Sequence, residues 1–424
     1  MPPFITGVSA LNFITRFSGK LDLSKYEDIG AGIRALHGSD DTYGDRISAI
    51  EYMGNGVILA GTSGGTHSRI YKSINWGANW STVQTFTNIN NVTSIERIGT
   101  SKTHVLVATG GAGHDGNVYR STDAGNTWTL ENNWGGGIYA GHDAVYSLEY
   151  IHNNVVLHGG GYNEGDGSIW RSADGGQNWV DLRGSNSNGH LQTGNVSWNN
   201  NGVFDSGSSY YSFSDSWWVR GLKYVGNGVV LANRRPTRVG SVGSSAATNP
   251  EIIRSTDYGV NWTRMTFPNL PSMNSGFTSV LNNGELIMEN LGDGKVIGVT
   301  SAENDNVFVG STNSHNANVY ISNDYGANWD TTSKFTLNRN RVYGVTHLGN
   351  GHVVFLTSHW TGSAYLANGG EVYESLDYGE TWNSTPVFDP GVLFLVSAKF
   401  NPDQNDLYVG GSLDDTVPVL YKLG

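Results

Sequence analysis

Positively charged side chains recur at one place in a repeated strand pattern of this chain. Apolar stretches can be aligned as equivalent strands starting at Ile47, Val92, Val145, Val219, Val296, Val342 and Leu395. The residue before the stretch, or one residue into it, is a cation in four of them: Arg46, Arg220, Lys295 and Arg341. These two positions are two residues apart, so their side chains share one side of the strand. Converging cations predict an anionic ligand, and planar guanidinium groups favour a carboxylate or a sulfate. The alternative is that acidic loop residues such as Asp45 and Asp143 neutralise them and no ligand binds.

Aromatic side chains are concentrated in the segment from Arg183 to Trp218. They include Tyr211, Trp217 and Trp218 among serine, asparagine and glycine residues. Exposed aromatic rings on a polar loop suit the stacking of sugar rings, whose hydroxyl groups need polar partners. The alternative is that the segment packs around its own aromatic cluster.

The residues that could act as acid, base or nucleophile do not form a complete set. Tyr146 and Tyr343 lie one residue into their strands, and His142 and Asp143 precede the strand at Val145. Such groups would suit a glycoside hydrolase or a uronate lyase. The catalytic residues therefore stay unknown, with these four as candidates. No spacing matches a metal motif, so neither a metal nor another cofactor is predicted.

The elements that must position these residues are marked by six copies of the pattern Ser-x-Asp-x-Gly-x-x-Trp. Each copy lies between two β-rich runs and so predicts the turn of a hairpin. The acidic position can accept backbone N–H bonds, the glycine allows a positive φ, and the tryptophan packs on a neighbouring sheet. We expect a structural role at the third position of every copy, which is occupied by Asn75, Asp123, Asp174, Asp257, Asp324 and Asp377.

This repeat resembles the Asp-box, or BNR repeat, of sialidases, xyloglucanases and related β-propellers. The resemblance implies an all-β fold, a single seven-bladed β-propeller of four-stranded antiparallel blades, with six or eight blades as alternatives. The last blade, starting near Leu395, lacks a fourth strand. We expect the N-terminal segment around Leu11–Phe17 to supply it and close the ring.

The whole chain, residues 1–424, is expected to form one domain with two long insertions. They are residues 183–218 and 266–295, on the face opposite the box turns, and Phe277–Met288 is interpreted as an inserted hairpin. In this topology the box turns share one face with the Asn-Gly turns. The cations and the aromatic segment are predicted on the other face, around the central shaft.

Part of the site also resembles that of the sialidases, which hold a carboxylate with three arginines. Arg46-Ile47 matches the Arg-Ile of the family's first motif, without its aromatic residue and proline. Arg220 and Arg341 correspond to the second and third arginines by position only. The family's acid/base aspartate has no counterpart in the loop from Thr62 to Arg69, and no glutamate partner for a tyrosine nucleophile can be named. The resemblance covers the whole chain as a fold and only a few residues as a site.

Composition narrows the function further. The 424 residues include 58 glycines and no cysteine, and the formal charge is −12. That charge argues against a nucleic-acid partner, and no apolar run is long enough for membrane insertion. An extracellular or virion-associated location is expected although no signal peptide is visible, and a cytoplasmic location stays open. We expect a glycan or polysaccharide partner, in an adhesion, receptor-binding or virion-surface role with possible assembly into a larger particle. A glycan-cleaving enzyme and a structural protein without a ligand are the alternatives.

Overall fold

The computed structural model describes residues 25–37, 46–110, 116–131, 144–162, 166–182, 217–236, 251–265, 286–300, 317–337, 340–359, 370–385, 392, 394–413 and 417–424. These residues form antiparallel strands and one short helix. The strands group into seven antiparallel units, and the first strands of successive units contact one another in cyclic order. The fold is a β-propeller around a central shaft. No helix in these ranges has the length and hydropathy of a membrane span.

The N-terminal segment contributes strand β1 (Tyr26–Asp28) and helix α1 (Ala31–His37) before the first unit. The strands of the first three units are β2 Arg46–Gly54, β3 Val57–Ser63, β4 Ser68–Ser73 and β5 Ser81–Phe86, then β6 Asn91–Arg97, β7 Val105–Gly110, β8 Val118–Ser121 and β9 Thr129–Leu130, then β10 Ala144–His152, β11 Val155–Tyr162, β12 Asp166–Ser172 and β13 Val180–Asp181.

The remaining four units follow the same order. Their strands are β14 Trp217–Gly226, β15 Val229–Pro236, β16 Glu251–Ser255 and β17 Thr263–Met265, then β18 Leu286–Gly292, β19 Lys295–Thr300, β20 Ala317–Ser322 and β21 Phe335–Leu337, then β22 Asn340–Gly349, β23 His352–His359, β24 Val372–Ser375 and β25 Asn383–Thr385, and finally β26 Phe394–Asn401, β27 Asp406–Ser412 and β28 Pro418–Leu423.

Tight turns join the first and second strands of the units. In the first unit Asn55 and Gly56 have φ values of 54° and 81°, the geometry of a type I′ hairpin turn. A Cβ on Gly56 would lie 2.9 Å from Nε1 of Trp76 in the box turn of the same unit. The two turns therefore pack together on one face of the propeller, as expected.

The box turns are held by the side chains that define the pattern. In the fourth unit Ser255 Oγ donates to Asp257 Oδ1 at 2.8 Å, and the N–H of Gly259 donates to Ser255 Oγ at 2.9 Å. The Asn261 N–H donates to the same Asp257 Oδ1 at 2.8 Å. In the first unit Asn75 Oδ1 accepts the equivalent hydrogen bonds, from Ser73 Oγ at 3.0 Å and from the Asn79 N–H at 2.9 Å. The equivalent carboxylates of the other units make the same Ser-Asp bond.

Each box turn also docks on the preceding unit, in line with the expected packing of the pattern on a neighbouring sheet. A Cβ on Gly125 in the second box would lie 2.9 Å from Cδ2 of Leu59 in the first unit. Arg254 Nε of the fourth unit donates to the Tyr325 carbonyl in the fifth box at 2.9 Å. The box turns thus stabilise the contacts between units as well as their own hairpins.

The ring is closed by the N-terminal segment, but by a different strand from the one expected. β1 pairs antiparallel with β28, with Tyr26 opposite Leu423 and Asp28 opposite Tyr421. Just after β1, Ile29 accepts a hydrogen bond from Trp80 Nε1 of the first unit at 2.8 Å. The segment Leu11–Phe17 lies outside the described residues. Closure of the ring by the N-terminal segment is confirmed, and β1 is the strand that pairs along β28.

The fifth unit begins earlier than expected. Its first strand is β18, and Val296 belongs to the second strand, paired with Asn290. The interpretation of Phe277–Met288 as an inserted hairpin was therefore wrong, since Leu286–Met288 belong to β18. Of the expected insertion 266–295, residues 286–295 belong to the fifth unit and residues 266–285 lie outside the described residues. Of the expected insertion 183–218, Trp217 and Trp218 begin β14 and residues 183–216 lie outside the described residues.

Candidate functional site

The starts of the first strands define one end of the central shaft. Arg46 pairs with Ser63, at the end of its hairpin opposite the turn that joins Gly54 and Val57. By the same topology this end, which we call the shaft mouth, is where the strands place their first residues, among them Arg46, Tyr146, Arg220, Arg341 and Tyr343. The mouth lies on the face opposite the box turns.

Arg220 and Tyr146 come together at the mouth from adjacent units. The guanidinium carbon of Arg220 lies 4.1 Å from the centroid of the Tyr146 ring. A cation over an aromatic face at this distance is attracted by the ring quadrupole. The ring therefore fixes the plane of a half-buried guanidinium, which suits recognition of a planar anion.

Lys295 does not belong to this group, and the expectation that it lies at the mouth was wrong. It pairs with Gly292 across the tight turn between β18 and β19, on the box-turn face. Its Nζ lies 4.7 Å from the centroid of the Tyr378 ring in the sixth box. The error follows from taking Val296 as the start of the fifth unit.

The other predicted site residues are described in part or not at all. The backbones of Trp217 and Trp218 pair with β15, and that of Arg341 pairs with β23, so all three strand positions lie at the mouth. Nothing is described of their side chains. Tyr211, His142 and Asp143 lie outside the described residues.

Hydroxyl groups line the shaft at the same strand position as Tyr146 and Arg220. Ser48 Oγ donates to the Val92 carbonyl of the next unit at 2.6 Å, and Thr93 Oγ1 donates to the Val145 carbonyl of the third unit at 2.5 Å. Inner edges of propeller sheets carry backbone groups that no strand pairs. These hydroxyls satisfy such carbonyls and tie each unit to its neighbour.

A cavity of about 210 Å³ opens in the shaft at this level. It is lined by the first strands of the first, second, sixth and seventh units. The hydroxyl-bearing residues in its wall are Ser48, Thr93, Ser94, Thr346 and Ser397, and small residues such as Ala49, Gly344 and Ala398 lie between them.

A ring of charged side chains follows deeper in the shaft. Its members hold the same position in each first strand: Glu51, Glu96, Glu149, Lys223, Glu289 and Lys399, with Thr346 in the sixth unit. Lys399 Nζ lies 2.5 Å from Glu51 Oε2, across the closure between the last unit and the first. Lys223 Nζ lies 2.9 Å from Glu289 Oε2 of the fifth unit. Four carboxylates against two ammonium groups leave a formal charge of −2.

The two carboxylates without a lysine at ion-pair distance accept backbone bonds instead. Glu96 Oε1 accepts the Tyr150 N–H at 3.1 Å, and Glu149 Oε1 accepts the Tyr224 N–H at 2.8 Å. Burial, and then the negative charge of Glu149, raise the pKa of Glu96 to about 8. Burial also raises the pKa of Glu149, although Lys223 opposes it. Burial alone would lower the pKa of Lys223, but the negative charges of Glu149 and Glu289 together outweigh burial and raise it.

Sequence reasoning missed this ring although a signal was present. Glu51, Glu96, Glu149, Lys223 and Lys399 all stand four residues after the start of their aligned strands. The alignment was used only for the first two residues of each strand. Within the ranges that the structure describes, no cluster of three or more acidic, histidine or cysteine side chains has the geometry to hold a metal ion.

Comparison with known proteins adds the fold and little more. No family model matches the chain, and neither does any curated protein. YCF48 bound to a D1 peptide is similar over 94% of this chain and 95% of its own, with a TM-score of 0.52 and 13% identity. A GH74 xyloglucanase from Xanthomonas campestris is similar over 92% of this chain and 54% of its own, with a TM-score of 0.52 and 13% identity.

An ulvan lyase of the polysaccharide lyase family PL25, bound to a GlcA(1-4)Rha3S glycan, is also similar. The match covers 90% of this chain and 94% of the lyase, with a TM-score of 0.52 and 12% identity. At such identities the similarity shows a shared architecture, the β-propeller, and no shared site.

Proposed function

We propose that this protein binds an anionic carbohydrate at the shaft mouth. The observation that carries the proposal is the position of Arg46 and Arg220 at the same end of the first strands, with Arg220 held over the Tyr146 ring. Arg341 starts its strand at this end as well. Guanidinium groups in this arrangement suit a carboxylate or sulfate on a sugar. The aromatic segment that ends at Trp217 and Trp218 would add stacking surfaces beside them.

Two of the similar structures are consistent with a carbohydrate ligand. One is a xyloglucanase, and another is a polysaccharide lyase bound to a GlcA(1-4)Rha3S glycan. For this chain we propose recognition without cleavage, in an adhesion, receptor-binding or virion-surface role outside the cell. The proposal of binding rather than cleavage rests on the absence of a complete acid, base and nucleophile set among the residues that the sequence suggested.

The test is binding to a panel of acidic and neutral polysaccharides: hyaluronan, polygalacturonate, alginate, ulvan, polysialic acid, dextran and xyloglucan. We expect acidic members alone to bind. Arg46→Ala and Arg220→Ala should each weaken binding by about 10- to 100-fold, the effect of losing a charge-assisted hydrogen bond. Lys295→Ala is the matched control, because it removes a cation from the opposite face and should leave binding unchanged.

The same samples decide between binding and catalysis. New reducing ends would indicate hydrolysis, and absorbance near 235 nm would indicate elimination, with Tyr146 and Tyr343 as the first residues to change. Binding of neutral glycans as tight as that of acidic ones, unaffected by both arginine variants, would refute the anionic site. Binding of an acidic peptide but of no glycan would do so too, and YCF48 bound to a peptide makes that control necessary.

A further inference from the structure

The shaft cavity lies between two layers with different chemistry. On its outer side are the first residues of the strands, where Arg46 stands two positions before the cavity residue Ser48. On its inner side is the charged ring. The cavity is off-centre, because the sixth unit contributes Thr346 at the ring position where each of the six other units has glutamate or lysine.

The wall of the cavity combines hydroxyl groups with small apolar surfaces. Ser94 and Thr346 lie in its wall with the small residues Ala49, Ala398 and Gly344. A sugar ring also has polar and apolar surfaces, since its hydroxyl groups need polar partners and its C–H faces need apolar partners. A volume of about 210 Å³ corresponds to about seven waters at about 30 Å³ each, and so to one monosaccharide unit.

The charged ring below the cavity joins neighbouring units through ion pairs. The ion pair between Lys399 and Glu51 crosses one boundary between units, and that between Lys223 and Glu289 crosses another. The Glu51 side chain is 1% exposed. Lys399, its partner, is 37% exposed. Removing one partner from such pairs is unfavourable, so the ring is a fixed layer below the cavity.

We infer that the cavity accepts the terminal unit of the anionic glycan, so that the protein recognises chain ends and not internal segments. The inference rests on the proposed function and specifies its ligand further. A polymer lying across the mouth would place internal units at the arginines and leave the cavity to water. A chain that enters by its end places one unit against the hydroxyls, at the level of Arg220, and keeps the next acidic group beside Arg46.

Stoichiometry tests this directly. Size-fractionated oligomers of each panel polysaccharide that binds, from two to twenty units, are titrated calorimetrically against the protein. End recognition predicts one protein per chain at every length and an affinity per chain that stops rising after the first few units. A number of proteins per chain that grows with length would overturn the inference and leave the proposed function intact. If no panel member binds, both fail.

Chemical capping identifies the end. Coupling a bulky fluorophore to the reducing end, or a bulky substituent to the non-reducing terminal unit, should abolish binding in one case and leave it in the other. Undiminished binding of a chain blocked at both ends would contradict end recognition.

A cavity-filling variant gives an independent readout. Ser94→Leu should fill the space that the terminal unit needs and weaken binding of a short oligomer at least tenfold. Ser81→Leu, the same change on an exposed outer strand, is the control and should leave affinity unchanged. Circular dichroism and thermal unfolding must first show that Ser94→Leu is folded; if it is not, Thr346→Val replaces it, with a smaller expected loss. Unchanged affinity in a folded variant would contradict the proposed position of the terminal unit.

Discussion

Replacing Glu96 with glutamine should make the propeller more stable at neutral and alkaline pH. Glutamine keeps the shape of the side chain and the oxygen that accepts the Tyr150 N–H at 3.1 Å. It removes only the ionisation, which is unfavourable because the carboxyl is buried near Glu149. Glu289→Gln is the matched comparison, since the same change in the same ring breaks the 2.9 Å ion pair with Lys223.

The sign follows from proton linkage. The pKa of Glu96 is about 8 in the folded protein against 4.5 for the free group, so the folded state binds more protons between these values. The free energy of unfolding therefore falls as the pH rises through that window. At about 1.4 kcal/mol per pKa unit, the wild type should lose about 3 kcal/mol relative to Glu96→Gln between pH 5 and pH 8.

Urea unfolding at pH 5, 6, 7, 8 and 9 measures this difference. We expect the free energy of unfolding of Glu96→Gln to exceed that of the wild type by an amount that grows up to pH 8 and then levels off. Glu289→Gln should instead be less stable than the wild type at all five pH values, by about 1 kcal/mol or more. Parallel pH profiles for wild type and Glu96→Gln would refute the assignment. If Glu149→Gln gave the growing difference instead, the proton would reside on Glu149.

Three further predictions concern the framework. Asp257→Ala should destabilise the protein by about 1–2 kcal/mol in thermal unfolding, whereas Asp257→Asn, which copies Asn75, should cost less at pH 7. Hydrogen bonds from Asn261 and Ser255 outweigh burial and lower the pKa of Asp257. The stability that ionised Asp257 provides should therefore be lost as the pH falls below 3.8. Deleting residues 1–37 should remove β1 and expose the edge of β28, giving aggregation or a large fall in melting temperature, and an equally stable, monodisperse truncation would contradict closure by this segment. Arg254→Ala should cost about 1–2 kcal/mol by losing its bond to the Tyr325 carbonyl without changing glycan binding; reduced glycan affinity in the folded variant would show that the box-turn face takes part in binding.

Local chemistry explains which parts of the fold the sequence could predict. The box turns and the turns between first and second strands each depend on residues fewer than ten positions apart, and all were expected at their observed places except that of the fifth unit. The start of the fifth unit was missed because Asn283-Gly284 was interpreted as the turn of an inserted hairpin before that unit. Asp293-Gly294, with φ values of 51° and 80°, is the actual turn and is equally typical of type I′.

Strand β1 carried almost no signal that a sequence pattern can detect. Tyr26, Glu27 and Asp28 are all exposed, because an outermost strand of a blade packs on no neighbour. The apolar alternation of Leu11–Phe17 looked more strand-like for that reason. Backbone pairing with β28 makes Tyr26–Asp28 the fourth strand of the last unit, and no local sequence pattern predicts such pairing.

The charged ring and the cavity depend on contacts that no local pattern encodes. Glu51 and Lys399 are 348 residues apart in the chain and meet only because the ring closes. The repeat of acidic residues at one strand position was visible, but an acidic repeat alone equally predicts a solvated strand face. Its burial could be known only once the first strands were placed around a common axis. The same holds for the pairing of Arg220 with Tyr146.

The ring should also tune anion binding at the mouth through its charge. Five residues separate Arg46 from Glu51, which is about 16 Å along an extended strand. One unit of charge gained by the ring at that distance opposes an anion by about 0.3–1 kcal/mol, depending on the effective dielectric constant. Since Glu96 ionises near pH 8, an acidic oligomer should bind about two- to five-fold more tightly at pH 6.5 than at pH 9 in 10 mM salt. Glu96→Gln should abolish this difference while leaving the affinity at pH 6.5 unchanged. The same pH dependence in wild type and variant would assign the titration to a group at the mouth itself.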